Sequence, residues 1–285
     1  MSIQAEHLTY IYNKGMAYET AALSDVSFTI QTGEFTGIIG HTGSGKSTLI
    51  QQLNGILKPD SGRILIDGVD ITAKDVKLSE IRKQVGLVFQ YPEYQLFEET
   101  VSLDVAFGPL NLGLEKEEAQ KRVREAMELV GLSYERLKDR SPFELSGGQK
   151  RRAAIAGVIA MKPKVLILDE PTAGLDPKAH DDIIRMLEEI HRHEKNNIIL
   201  VSHNMSDVAE AADRIIVMDR GRIAAMGTPQ EVYQNGKLIE AIGLELPDTM
   251  QLALQLEKRG IHLHGPMMTM DQAVSRIETL LKGNE

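Results

Sequence analysis

The run Gly40-His41-Thr42-Gly43-Ser44-Gly45-Lys46-Ser47 carries the most specific chemistry in the sequence, with the spacing G-x-x-x-x-G-K-[ST]. Glycines in such a loop let successive backbone N–H groups turn inward and form a nest for phosphate oxygens. The lysine reaches the β- and γ-phosphates, and the hydroxyl after it ligates Mg²⁺. The flanking residues fit this reading. Glu34 to Ile39 reads as a short apolar strand entering the loop, and Ser47-Thr48 opens a helix running to Leu53. The positive end of that helix would face the phosphates. The expected ligand is a nucleoside triphosphate with its Mg²⁺.

A second constellation is Val165-Leu166-Ile167-Leu168-Asp169-Glu170. Four consecutive apolar residues suit a parallel strand buried on both faces. Carboxylates at its carboxyl end lie where open α/β sheets bind ligands. Asp169 is placed to hold the Mg²⁺ shell, and Glu170 to orient and deprotonate a water. A third is Leu145-Ser146-Gly147-Gly148-Gln149, followed by the helix former run from Lys150 to Ala156. Ser146 is a good N-cap, and two glycines at a helix start leave N–H groups open to an anion. One triphosphate does not need two anion nests in one chain. The economical reading is that the second nest serves another subunit's nucleotide.

At these residues the chain resembles the ATP-binding cassette (ABC) ATPases, over roughly residues 1–230 and in the family's motif order. L-S-G-G-Q is the family's signature. Further matches are implied by the resemblance alone. Gln90, after the strand Val85 to Phe89, matches the Q-loop glutamine, which adds a Mg²⁺ contact. His203, after Asn197 to Ser202, matches the switch histidine. Ala173-Gly174-Leu175-Asp176 matches the D-loop. Tyr12 resembles the aromatic residue that stacks on adenine, with Tyr10 as the alternative; Leu8, Tyr10 and Tyr12 alternate, so strand packing on one face is the competing reading. The implied fold is α/β, the P-loop NTPase ABC-ATPase fold. It has a β-rich N-terminal part, an inserted helical subdomain and a short helical C-terminal extension. Lys46, Ser47, Asp169, Glu170, Gln90 and His203 would act in cis, and Ser146 and Gly148 on the partner's γ-phosphate.

Composition sets the outer limits. At 285 residues the chain suits one large domain or a domain with an appendage. Cysteine is absent, so neither disulfides nor thiolate chemistry is available. A formal net charge of −9 argues against a nucleic-acid surface and against direct adsorption to anionic lipid. No segment approaches the roughly 20 apolar residues needed to span a bilayer. The first seven residues lack the basic and apolar regions of a signal peptide. Work at a membrane would therefore require docking onto another protein at its cytoplasmic face.

The nucleotide-binding domain is expected over residues 1–225, with the helical subdomain at about 91–160. Within it, Ala119, Val123, Ala126, Met127 and Val130 fall at helical spacing. Residues 226–285 read as a helical extension and a possible dimerisation element. Helices are expected after Thr228-Pro229, near Asp248, and after Thr269-Met270-Asp271-Gln272, which has capping-box form. In the last, Ala273, Ile277, Leu280 and Leu281 share one face.

Three runs resemble the energy-coupling factor (ECF) branch, whose importers take up vitamins and transition-metal ions. They are Gln90 to Val101, Asp104 to Pro109 and Ser141 to Leu145. The opening and the run Ile39 to Gly43 resemble the second paralogue of heterodimeric ATPase pairs. The resemblance implies three partners: a second ATPase subunit, a transmembrane scaffold, and an exchangeable substrate-binding membrane subunit. It implies no nucleic acid. The segment Tyr91, Glu93, Tyr94, Leu96, Phe97, Glu98 and Glu99 is the expected scaffold-docking surface, acidic with apolar anchors. An ATPase of another transporter type, or a soluble non-transport cassette protein, would share the catalytic motifs.

Overall fold

The computed structural model describes residues 1–261 and 267–282. Among the described residues ten strands form two sheets. The first is antiparallel, in the order β2 (Thr20–Ile30), β1 (Ile3–Tyr12), β4 (Ser61–Ile66), β5 (Val69–Asp70). The second runs β10 (Arg222–Gly227), β9 (Arg214–Asp219), β3 (Phe35–Gly40), β8 (Asn197–Val201), β7 (Val165–Asp169), β6 (Val85–Val88). Its pairings are parallel from β9 to β6, and only β10 is antiparallel.

The central strands β3, β7 and β8 are buried at every step and largely apolar, because both their faces are covered. Successive side chains point to opposite faces. On β7, Val165 and Ile167 join one buried cluster, and Leu166 and Leu168 the other. On β8, Ile199 and Val201 divide from Ile198 and Leu200 in the same way. One cluster lies between the two sheets and encloses Leu49, Ile50 and Leu53 of α1 (Lys46–Leu53). Helix α2 (Leu78–Gln84) contributes Ile81 to it.

The other cluster lies beneath the large sheet and extends into helices α3 (Val101–Asn111), α4 (Lys116–Leu129), α5 (Tyr134–Leu137) and α6 (Gly147–Ile159). On α4 the spacing seen in the sequence meets that core: Ala119, Val123, Ala126 and Met127 are buried, as is Val130 just beyond. Helix α6 starts at a capping box. Ser146 Oγ accepts from the Gln149 N–H at 3.3 Å, and Gln149 Oε1 accepts from the Ser146 N–H at 3.1 Å. Helix α7 (Pro177–Glu194) begins at Asp176, and α8 (Met205–Ala211) at Asn204; both N-caps accept backbone N–H groups through their side chains.

The tail forms α9 (Pro229–Gln234), α10 (Gly236–Ala241), α11 (Asp248–Lys258) and α12 (Met270–Lys282). Thr228 and Glu231 make the capping box of α9. Tyr233 is buried and its hydroxyl donates to the Met205 carbonyl at 3.1 Å, fastening α9 to the start of α8. Of the apolar face expected on α12, Ala273 is buried whereas Leu281 is 64% exposed. Ile277 and Leu280 are half-buried, so that face is covered less completely toward the end of the helix.

Candidate nucleotide site

The phosphate loop joins the end of β3 to the start of α1. Gly45 has φ +104°, and a Cβ there would come within 2.5 Å of the Ala22 carbonyl oxygen. No other residue type fits both demands. The loop is braced from the β9–β10 turn: the Gly221 N–H donates to Ser44 O at 2.9 Å, and His41 Nε2 lies 2.9 Å from Asp219 Oδ1. The Lys46 ammonium donates to the Gly40 and His41 carbonyls at 2.7 and 3.0 Å. Burial lowers the Lys46 pKa, while the Glu170 and Asp169 carboxylates pull it back. Thr42 and Gly43 form the outer rim of the loop, and Gly43 has open space around it. Among the described residues the buried Ser44 hydroxyl has no hydrogen-bond partner.

The acidic pair hangs from β7. Asp169 is buried, and burial raises its pKa, as does Glu170; the Ser47 hydroxyl and Lys46 oppose that rise. Glu170 sits in the left-handed region at φ 48°, held by its N–H donating to Val201 O at 2.9 Å. A non-glycine residue there stores strain, which the neighbouring strand must hold in place. The turn aims the Glu170 carboxylate at two distant side chains. Gln90 Nε2 donates to Glu170 Oε2 at 2.8 Å, and His203 Nδ1 lies 3.5 Å from the same oxygen. Ser47, Gln90, Asp169, Glu170 and His203 thus meet across the ends of four adjacent strands, β3, β8, β7 and β6.

This donor set fits Mg²⁺. A hydroxyl, a carboxylate and an amide oxygen are hard ligands, and Mg²⁺ is typically held by one or two carboxylates with phosphate and water completing the shell. Among the described residues no cluster of three or more His, Cys, Asp or Glu could hold a metal unaided.

Tyr12 is 39% exposed at the end of β1, and its hydroxyl lies 3.2 Å from Thr48 Oγ1. Tyr10 is partly buried and meets the Tyr12 ring edge-on, with centroids 4.9 Å apart. Tyr12 therefore offers a free ring near α1, with Tyr10 as its support. Ser146, Gly147, Gly148 and Gln149 open onto a different cleft of about 620 Å³, which Gly174 and Asp176 also line. The signature and the D-loop thus share a surface apart from the chain's own phosphate loop.

The segment after Gln90 departs from expectation at two residues. Tyr91 takes φ 54°, and Pro92–Gln95 makes a short 3-10 turn. This turns Glu93 inward, where its oxygens accept from Arg151 Nε and Nη2 at 2.9 and 2.6 Å. Glu93 is thus the counter-ion of a guanidinium only 2% exposed, and it is not a free docking charge. Burial pushes the Glu93 pKa up, but the Arg151 hydrogen bonds, a backbone hydrogen bond and the Arg151 charge together outweigh it and the net shift is downward. Leu96 is likewise buried, at 8%, and is no surface anchor. Tyr91, Tyr94 and Phe97 are exposed, Tyr94 at 84%. Glu99 is exposed and Glu98 half-buried. Phe97 packs edge-on against Phe107 beside a groove of about 780 Å³ between α3, α6 and β6.

Sequence reasoning missed Arg151. It also donates to the Pro171 and Ala173 carbonyls at 3.0 and 2.7 Å, tying α6 to the loop after Glu170. The only signal was the arginine pair Arg151-Arg152 ahead of an alanine-rich run.

Residues 23–173 match the ABC transporter family. The chain is 59% identical over 285 residues to the energy-coupling factor transporter ATP-binding protein EcfA2 of Caldanaerobacter subterraneus subsp. tengcongensis, covering 100% of this chain and 99% of that protein. It is 55% identical to the protein of the same name from Clostridioides difficile, covering 99% of each. Its structure is similar to cbiO1 from Clostridium perfringens, part of the ABC transporter complex cbiONQ, with TM-score 0.74, 43% identity and coverage of 88% of this chain and 97% of that one. It also resembles the ATP-binding cassette MJ0796, solved as a dimer with ADP and Pi, with TM-score 0.71, 30% identity and coverage of 80% and 98%. The chain belongs to the ABC transporter family, among the ATP-binding proteins of energy-coupling factor transporters.

Proposed function

We infer that this chain hydrolyses ATP as the second paralogue of the ATPase pair in an energy-coupling factor importer. The observation that carries the reading is the convergence of Gln90 and His203 on one oxygen of Glu170, beside Asp169, Ser47 and Lys46. Lys46 would exchange its two loop carbonyls for phosphate oxygens. Ser47, Asp169 and Gln90 would hold Mg²⁺, which supplies charge stabilisation to the phosphates. Glu170 would orient the attacking water and take its proton, with His203 steadying the carboxylate. Tyr12 would stack on the base. Ser146 to Gln149 and Asp176 would complete the partner's site, which the shared cleft supports.

Among the described residues no helix is long and apolar enough to cross a membrane. The exposed Tyr94 and Phe97 and the adjoining groove suit an apolar segment of a transmembrane scaffold, with Glu98 and Glu99 drawing basic residues to its rim. Residues 1–225 then form the motor, peripheral on the cytoplasmic face, and residues 226–285 an extension that meets the second ATPase. A vitamin or a transition-metal ion would be the cargo, chosen by a separate membrane subunit. Two measurements test this reading. Affinity purification from detergent-solubilised membranes should recover a second ATPase and two membrane subunits. In that complex Glu170→Gln should lower hydrolysis by about 10²–10⁴ while ATP still binds. Near wild-type turnover by Glu170→Gln would overturn the assignment.

A further inference from the structure

Helices α7 and α8 begin directly behind the two loops on which the proposed cycle turns. Asp176 caps α7, and His203 immediately precedes Asn204, the cap of α8. One imidazole joins the two helix starts. His180 lies on the first turn of α7, its N–H bonded to the Asp176 carbonyl at 2.9 Å. Its Nε2 is 3.0 Å from Asp207 Oδ2 and 3.4 Å from Asn204 Nδ2, and its Nδ1 is 3.2 Å from Asp181 Oδ1.

The far side of this contact is anchored in the switch loop. Asp207 is buried at 5% and also takes the Ser202 hydroxyl at 3.5 Å. Ser202 Oγ in turn accepts the Asn204 N–H at 3.0 Å. His203 is therefore gripped on both sides by a network that ends on His180. A carboxylate buried this deeply is costly unless paired. An apolar side chain of similar size would serve packing alone at less cost. The pair also spans two helices that each carry a loop of the proposed site.

We propose that His180 is a positioning residue that carries displacement of the Asp176 loop to His203, and so to Glu170. The proposal rests on the functional reading above. Helix starts move as rigid units, and a short imidazole–carboxylate contact has little slack. A shift of the D-loop on engagement with the partner ATPase therefore moves Ser202, His203 and Asn204 with it. The 3.5 Å separation between His203 Nδ1 and Glu170 Oε2 is the distance such a shift would change. Partner engagement and alignment of the base become one event.

The test uses the assembled complex. Asp207→Leu keeps the branched shape, removes the buried charge and leaves His180 without that acceptor, and circular dichroism and complex assembly verify that the variant folds. It should lower kcat by about 10-fold or more, because misplacement near 1 Å costs up to 10²-fold. KM for ATP should stay within about 2-fold, since loss confined to the reacting state leaves ground-state binding unchanged. His180→Ala should do the same, and His180→Gln, whose amide N–H can donate to Asp207, should restore most of the rate. Unchanged kcat in Asp207→Leu, or equal loss in His180→Gln and His180→Ala, overturns the proposal. Glu170→Gln serves as the control. If it is inactive while Asp207→Leu is normal, only the relay fails; if Glu170→Gln turns over normally, the functional reading has failed.

Discussion

Replacing Glu93 with Gln should destabilise the chain out of proportion to a change of one atom. Arg151 is 2% exposed and donates to Glu93 through both Nε and Nη2, and to two backbone carbonyls through Nη1. The amide can accept only one of the two Glu93 bonds and turns an N–H₂ toward the guanidinium. Removing one partner of a buried ion pair costs about 3–5 kcal/mol, because the remaining charge is stranded. The two carbonyls still solvate Nη1, and the Glu93 side chain is 16% exposed, which places the cost at the lower end. With a urea slope of about 3 kcal/mol/M, the midpoint should fall by about 1 M. Urea unfolding followed by circular dichroism reads this directly. Glu98→Gln is the control and should change stability by no more than about 0.5 kcal/mol. Because Arg151 holds the folded Glu93 pKa below its unfolded value, the pair's contribution is present above the ordinary carboxylate range. It is lost as pH falls through the folded pKa, so the gap between wild type and Glu93→Gln should close in acid. A midpoint for Glu93→Gln within about 0.2 M of wild type at neutral pH would refute the reasoning.

Other outcomes follow from the same geometry. ATPase activity of the purified chain should rise with protein concentration and with added partner ATPase, because Ser146 and Gly148 face a cleft away from the chain's own Lys46; specific activity against concentration checks this. Asp169→Asn should abolish turnover yet raise the melting temperature of the nucleotide-free chain at neutral pH. Burial raises the folded pKa of Asp169, so its ionised form costs stability that increases as pH rises above the unfolded value. Scanning calorimetry should find that difference vanishing below about pH 4. Charge reversal at Glu98 and Glu99 together should weaken scaffold co-purification and leave ATP binding unchanged. Glu93 must be left intact in that experiment, since a lysine there would face Arg151 and unfold the chain.

The parts legible in the sequence were those whose chemistry is local. Gly45, Lys46 and Ser47 must be neighbours to wrap a phosphate, so their spacing exposes them. The strand before Asp169 announced itself by being apolar at every step, and α4 by the recurrence of Ala119, Val123, Ala126 and Met127. The pairs that were not legible join residues with no local pattern. Glu93 and Arg151 are 58 positions apart, and His180 and Asp207 are 27 apart. Nothing in Tyr91 to Glu99 says which acid turns inward. That choice is made by the left-handed Tyr91 and the 3-10 turn after it, which rotate Glu93 and Leu96 into the domain. Leu281 failed differently: helical spacing shows that a face exists, but not what covers it.

The ladder of the large sheet has a further consequence. Asp169 is paired with Val201, and Val201 with Ile38, so the bases of the loops carrying Lys46, Glu170 and His203 sit on neighbouring rungs. Insertions and deletions should therefore sort by position. Removing one residue from β8 would shift the frame of His203 against Glu170 and send Ile199 and Val201 to the opposite face, and no neighbouring change could correct both errors. Lengthening the loops around Gly113 or Gly243, where a glycine with positive φ meets open space, would leave every rung in step. The sheet works as a reading frame for the site. Length changes should be tolerated only in places where partner contacts can diverge without recalibrating the chemistry.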